Sequence, residues 1–507
     1  MSRTKSFAYN SMTAALLQII TVAAGFIVPR IMLVYYGSEI NGLVNSIAQF
    51  IAYFNLVEAG LAGAAIYALY KPLADRDHKS INGVLSATNR FYILSGYIFV
   101  ALTLGLALIY PALVKSSQLS PLCVGALVLI LGVSGALEFF TMAKYRALLT
   151  ADQKLYVLSL ASIVAIILNT AIIAVLASNG ASIVIVRLVA LFSVFARSLI
   201  LWLYVRLRYT FIDYREIPNN EALNKRWDAL YLQILGAIHS GAPVIIATIF
   251  TTLQTISVYA IFNMVVTGVS GIVGIFTSGL SASFGDVIAR KEQSILQAAY
   301  QEFEMVFYAL IAWAYSCTMV LIMPFIRLYT AGITDVNYNV PLIGFLITLN
   351  GLLFSLKTPQ GMLVISAGLY RETRVQVTIQ GLIAVVGGVI FVQFWGLAGI
   401  LVGSILSNIY RDIDLLFYIP RNLTKLRVRT SFYRILRVFL CFGLICWPYV
   451  GYIQIDCDNY VQWLGWAGIT AIYAALIVLI VNYLLDKHVF VNVLGRIKIL
   501  TRQGSAA

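Results

Sequence analysis

Charge is what this 507-residue chain has least of: 11% of its residues are Asp, Glu, Lys or Arg, against 61% hydrophobic. A soluble domain has to cover its surface with polar groups, so this balance excludes one. Acidic residues are the scarcer sign, 21 against 35 basic, which leaves a formal charge of +14. Cysteine is sparse too. Of five, Cys123, Cys317, Cys441 and Cys446 fall in apolar runs and Cys457 stands in a short connection, so neither a disulfide framework nor a zinc spacing is present. No GxxxxGK[ST] phosphate loop suggests an ATP-driven pump. Arg3 and Lys5 precede a long apolar run with no small-residue cleavage site, so the first helix is expected to stay uncleaved.

What the chain has in abundance is long apolar sequence. Runs of about 20 apolar residues, enough to cross ~30 Å of hydrocarbon as helix, lie at 9 to 34, 42 to 70, 86 to 114, 120 to 142, 155 to 177, 183 to 205, 230 to 252, 256 to 284, 303 to 327, 340 to 366, 375 to 395, 397 to 419, 435 to 455 and 462 to 485. They predict an all-α polytopic membrane protein of about 14 transmembrane helices. The connections KPLADRDHK, AKYRALLTADQK, RLRYTFIDYREIPNNEALNKRW, ARKEQ, YRETR and RNLTKLRVR hold most of the Lys and Arg, whereas Arg30, Lys115 and Arg327 lie toward the other side. The positive-inside bias then places these connections and both termini in the cytoplasm. Anionic inner-leaflet lipid accounts for the basic charge without nucleic acid. The block from Arg421 to Arg437 is expected to be a solvated or lipid-facing basic loop.

A weak internal echo recurs after about 215 residues. INGLVNS...EAGLAG, Ile40 to Gly63, is followed by ISVYAIFN...TSGLSA, Ile256 to Ala282. With the topology it predicts a six-helix lobe over 1–215, a second over 216–430, related by an axis along the membrane normal, and two appended helices with a tail over 431–507.

Ionisable residues inside the apolar runs then need a reason. Glu58 and Lys357 fall near mid-depth, Arg30 and Arg187 in the outer third, and Arg197 and Arg411 inward of centre. At about 2.5 to 3.5 kcal/mol for an ionised group at a helix centre, they must face protein or water. Glu58 and Lys357 could be partners in one salt bridge, with Asn55 in the same packing role. Arg187 could snorkel outward, Arg197 and Arg411 could reach the inner interface, and Asp412 and Asp414 stand beside Arg411. Taken together the set is more cationic than anionic and predicts a water-filled cavity that attracts an anion, phosphate above all, because the guanidinium fork matches it. Tyr35, Tyr36, Tyr53, Tyr67 and Tyr70 could stack on sugars or form interfacial belts. His239 is expected to be a packed polar residue.

The run PRIMLVYYGSEINGLVNSIAQFIAYFNLVEAGL, Pro29 to Leu61, resembles the first outer turn and second helix of Wzx-type oligosaccharide flippases, a branch of the MOP exporter superfamily. YRALLTADQKLYVLSL, Tyr145 to Leu160, and KTPQGMLVISAGLYRETRVQ, Lys357 to Gln376, agree with it. The resemblance covers helices one to twelve. It implies a MATE-like V of two six-helix bundles and outward flipping of an undecaprenyl-diphosphate-linked repeat unit in the bacterial inner membrane, for O-antigen, capsule or exopolysaccharide. A polysaccharide polymerase and a chain-length regulator would be its partners. Arg30, Arg187 and Lys357 are carried over as the cations receiving the diphosphate, with Glu58, Asn55, Arg197 and Arg411 as further contacts. No cofactor is expected; H⁺ or Na⁺ coupling is left open, with Glu58 its candidate site. The two appended helices are similar instead to the lipid II flippase branch, so a lipid II flippase is one alternative. A multidrug antiporter would favour acidic cavity groups, and a membrane glycan polymerase would show large outer loops, which this chain lacks.

Overall fold

The computed structural model describes residues 3–58, 61–219, 226–277, 280–369, 371–493 and 495, and among them every regular element is helical. Contacts divide the chain into two compact units, Met1–Ala260 with Gly332–Val336, and Ile261–Ala331 with Asn337–Ala507. The division falls inside a helix that begins at Leu253, rather than near residue 215, and residues 431–507 group with the second unit.

The first unit starts with α1, Arg3–Phe54. Its 52 residues would run about 78 Å as one straight helix, more than twice the hydrocarbon thickness. The run breaks at Gly37, whose φ of 78° and ψ of 176° lie where glycine is favoured. Asp335 fixes the break, accepting from the Ser38 backbone N–H at 2.7 Å and from its hydroxyl at 2.9 Å. It thereby caps the second half of α1 from outside the helix. Glu39, one residue on, accepts from Ser116 at 2.5 Å and from the Ser117 amide at 2.6 Å. A single 3-10 turn, Asn55–Glu58, follows. Then come α2 Leu61–Asp75, α3 His78–Leu113 and α4 Pro121–Leu137. A π-turn, Glu138–Met142, leads into α5 Ala143–Ala151, α6 Leu155–Ser178, α7 Ile183–Arg208 and α8 Arg226–Phe250. Helix starts carry side-chain caps: Asp77 for α3, Ser120 with Pro121 for α4, Ser182 for α7. The two echoing segments meet within this unit, where Asn41 donates to Ser257 at 2.7 Å. A Cβ on Gly42 would stand 1.8 Å from the Leu253 carbonyl, so only glycine permits that approach.

From α9, Leu253–Ile275, the second unit continues through α10 Leu280–Ala289, α11 Gln293–Tyr329, α12 Pro341–Leu356, α13 Thr358–Ser366, α14 Arg374–Trp395 and α15 Leu397–Ile419. It closes with α16 Val428–Gly451 and α17 Tyr460–Leu485, both packed on α11. α14 and α15 lie so close that a Cβ on Gly403 would meet the Gly388 amide nitrogen at 2.4 Å. Large apolar side chains such as Leu108, Leu122, Phe394 and Val450 project outward, as a hydrocarbon solvent allows.

Among the described residues eleven helices are long and apolar enough to cross a membrane, with Gly241–Phe250 a shorter apolar one. This is a multi-pass membrane protein. The fourteen expected spans differ from the eleven at identifiable places. The first two merge into Tyr9–Glu58; the seventh is represented by Gly241–Phe250; and the twelfth, α15, carries Arg411, Asp412 and Asp414 in its apolar length. Two expected spans are also not single helices. The one over 42 to 70 breaks at Asn55–Glu58, and the one over 340 to 366 breaks at Lys357.

Candidate functional site

In the first unit the candidate residues gather where helical regularity fails. The 3-10 turn ends on Glu58, and the π-turn begins on Glu138. Such turns depart from α geometry and leave side chains out of the flanking register. Arg146 on α5 donates from Nη2 to Glu58 Oε1 at 2.7 Å, and its Nη1 stands 3.9 Å from Glu138 Oε1. Arg197 on α7 brings its Nη1 to 3.4 Å from that same oxygen. The result is a chain of four charges, Glu58, Arg146, Glu138 and Arg197, whose side chains are 22% to 36% exposed. The buried Tyr92 hydroxyl stands against the Arg146 guanidinium, and the buried Arg197 Nε meets no hydrogen-bond partner.

Arg187, also on α7, turns toward α1. Its Nη2 lies 3.7 Å from the Met32 sulfur, and its Nε is buried with no hydrogen-bond partner. Tyr36, its electrostatic neighbour, donates its hydroxyl to the Ala181 carbonyl at 2.7 Å. Arg30 is half-buried on the first half of α1, and Asn55 is exposed at the start of the 3-10 turn.

In the second unit Lys357 stands at the junction of α12 and α13. Its Nζ donates to Asn408 Oδ1 at 2.6 Å, and Asn408 donates in turn to Asn350 at 2.9 Å. The ammonium also sits 4.6 Å from the Phe354 ring centroid. One turn beyond Asn408, Asp412 has both carboxylate oxygens buried without a hydrogen-bond partner. It borders an otherwise apolar cavity of about 350 Å³ with Leu353, Ile409 and Phe439 among its walls. Arg411 donates to Asp414 at 2.5 Å. A separate charge cluster joins α16 and α17 to α11: Arg434 donates to Glu304 at 2.8 Å and reaches Asp486 at 3.2 Å, while Arg437 donates to Asn482 at 2.9 Å. Beside it is a cavity of about 10 Å³, room for one water.

Several expectations are corrected by this geometry. Glu58 pairs with Arg146, not with Lys357, because the break after α1 brings it to α5. Arg197 has Glu138 at ion-pair distance, and Arg411 pairs with Asp414, one of the two carboxylates expected beside it. Arg434 and Arg437, assigned to a solvated or lipid-facing loop, are buried on α16. The side chain of His239 lies outside the described residues. Arg146, Glu138 and Asp412 were the residues missed. Glu138 interrupts the apolar run over 120 to 142 just as Glu58 interrupts its own, and that signal was available. Arg146 was hidden by its place in the basic connection AKYRALLTADQK, which the structure folds into α5. Among the described residues no group of three or more His, Cys, Asp or Glu gathers as metal ligands.

No protein-family model matches the chain, and no curated protein matches it in sequence. Solved structures do. The chain is similar to the lipid II flippase MurJ in an inward closed conformation, at 15% identity over 94% of this chain and 98% of that one, with a TM-score of 0.66. It is similar to a multidrug resistance MATE family transporter of the MOP superfamily in an inward-facing conformation, at 14% identity over 84% and 95%, with a TM-score of 0.64. A MOP superfamily transporter from Pyrococcus furiosus, described by a binding pocket of reverse polarity, matches at 14% identity over 83% and 95%, with a TM-score of 0.54. At these identities the likeness is one of fold: the chain has the fold of MATE transporters and of MurJ.

Proposed function

We propose that this protein is a flippase that moves an undecaprenyl-diphosphate-linked oligosaccharide from the inner to the outer leaflet of the bacterial cytoplasmic membrane by alternating access. One observation carries the reading. Each unit holds, at a helix of the membrane domain, a cation with no carboxylate at ion-pair distance among the described residues: Arg187, which lies against a thioether with Tyr36 as its electrostatic neighbour and its Nε unpartnered, and Lys357, which donates to a neutral amide and has the buried Asp412 only as a more distant electrostatic neighbour. A cation left without an ion-pair partner in hydrocarbon is costly, and an anionic substrate would supply charge to it. A phosphate suits either residue by itself, since Arg187 offers forked donors and Lys357 a point charge. The MurJ fold matches 94% of this chain and the MATE fold 84%, which favours a lipid-linked cargo over a soluble one. Each negative charge moved outward across an inside-negative membrane gains about 2.3 kcal/mol per 100 mV, so the potential can drive release. Coupling to H⁺ or Na⁺ through Glu58 would require its pair with Arg146 to open.

The test is transport in proteoliposomes containing a fluorescent undecaprenyl-diphosphate oligosaccharide, read by its access to an impermeant reagent. Wild type is expected to flip it, and Arg187→Ala and Lys357→Ala to lose most of the rate while folding normally. Full activity in both variants overturns the reading. Asp412 favours a second reading, an antiporter of lipophilic cations, because its carboxylate borders an apolar cavity with no hydrogen-bond partner and with Lys357 as its electrostatic neighbour. Ethidium transport that depends on Asp412, in vesicles that do not flip the lipid, selects that reading.

A further inference from the structure

We propose that Arg146 and Arg197 form a phosphate site that Glu138 fills in the absence of substrate, and that a phosphate of the substrate takes the carboxylate's place. The chemical identity of the anion rests on the function proposed above; the site rests on geometry within the first unit.

Two guanidinium groups from different helices, α5 and α7, converge on a single oxygen, Glu138 Oε1, at 3.9 Å and 3.4 Å. Neither distance is the 2.7 to 2.9 Å of a strong charge-assisted hydrogen bond. A carboxylate oxygen shared this loosely leaves donor capacity in the Arg197 fork, since a guanidinium carries five N–H groups. Arg197 Nε is buried with no hydrogen-bond partner, and the hydroxyl of Tyr92, a side chain only 1% exposed, stands against Arg146 in the field of Glu58 and Glu138. A tetrahedral phosphate, with three or four acceptor oxygens in different directions and up to two charges, serves the forks arriving from α5 and α7 better than the one shared carboxylate oxygen does. Glu138 must withdraw to admit it, and its position on the π-turn suits movement, because such turns mark places where a helix tolerates alternative bonding. Glu58 holds Arg146 from its other side at 2.7 Å and keeps the fork in place while Glu138 leaves. The carboxylate therefore acts as a stand-in that keeps two membrane arginines neutralised between cargoes.

Purified full-length protein in detergent is treated with phenylglyoxal, an arginine-directed reagent, with and without inorganic pyrophosphate, and modification is read residue by residue by mass spectrometry. Pyrophosphate is expected to slow modification of Arg146 and Arg197 while leaving the exposed Arg290 and Arg327 unchanged. Glu138→Gln removes the competing charge and is expected to lower the pyrophosphate concentration needed for protection about tenfold. Unchanged or weaker protection in that variant overturns the proposal and leaves Glu138 as a fastening between helices. Should Glu138→Gln fail to fold, the wild type decides alone: no protection at Arg146 and Arg197 overturns the site. The readout needs no transport. Protection without flipping removes the proposed function and keeps the site; flipping without protection removes only the site.

Discussion

Two charge clusters in this molecule use the same residue types and differ in almost every physical respect. In the second unit, Glu304 and Arg434 meet at 2.8 Å with side chains 1% and 2% exposed, on uninterrupted helices, and Asp486, Tyr300 and the Gln301 carbonyl take up neighbouring donors and acceptors. In the first unit, Arg146 and Arg197 share one oxygen of Glu138 at longer range, their side chains are about a third exposed, and both carboxylates stand on irregular turns. A buried pair with satisfied hydrogen bonds is rigid, because breaking it strands a charge in low dielectric. A loosely shared, half-buried pair can trade partners. The contrast suggests that α16 and α17 are locked to α11, while the cluster of the first unit is built to exchange.

The contrast can be broken from its strong side first. Arg434→Ala leaves Glu304 buried without its ion, and should cost about 3 to 5 kcal/mol, seen as a large fall in melting temperature in detergent or as loss of folded protein. A variant that melts with wild type would show that the cluster locks nothing. On the weak side, a double-mutant cycle of Glu138→Ala and Arg197→Ala should give a coupling of about 1 kcal/mol or less. Several kcal/mol there would erase the difference between the clusters. The smallest effect lies outside both. Hydrogen bonds from the Ser80 hydroxyl and amide hold the carboxyl of Asp77, the cap of α3, below its usual range. A depressed folded value means that this stabilisation is complete above the ordinary carboxylate value, about 3.9, and is lost as pH falls through the folded one. The melting difference between wild type and Asp77→Asn should therefore be constant above about pH 5 and change only in acid; a difference drifting at neutral pH would contradict the cap.

Much of this was legible beforehand. Apolar run length located most helices because hydrocarbon imposes it on every span, and Gly37, inside the expected turn of 34 to 42, is where α1 breaks. Glu58, Lys357, Arg187 and Arg197 stood out because charge in an apolar run is expensive wherever it points. Their partners did not stand out. Arg146 lies 88 residues from Glu58, and Asn408 lies 51 from Lys357; no periodicity spans such intervals. The helix breaks at Asn55–Glu58 and at Glu138–Met142 were equally hidden, since 3-10 and π-turns keep the apolar composition of the helices they interrupt.

By itself, then, the sequence determined that the chain lives in a bilayer as a bundle of helices and that a few ionisable groups must be sheltered there, because transfer free energy depends on composition and length. Only the tertiary structure decided which of those groups are neutralised and which are left wanting a counter-charge. Electrostatic pairing is set by ångström separations across helices distant in sequence, and those follow from packing.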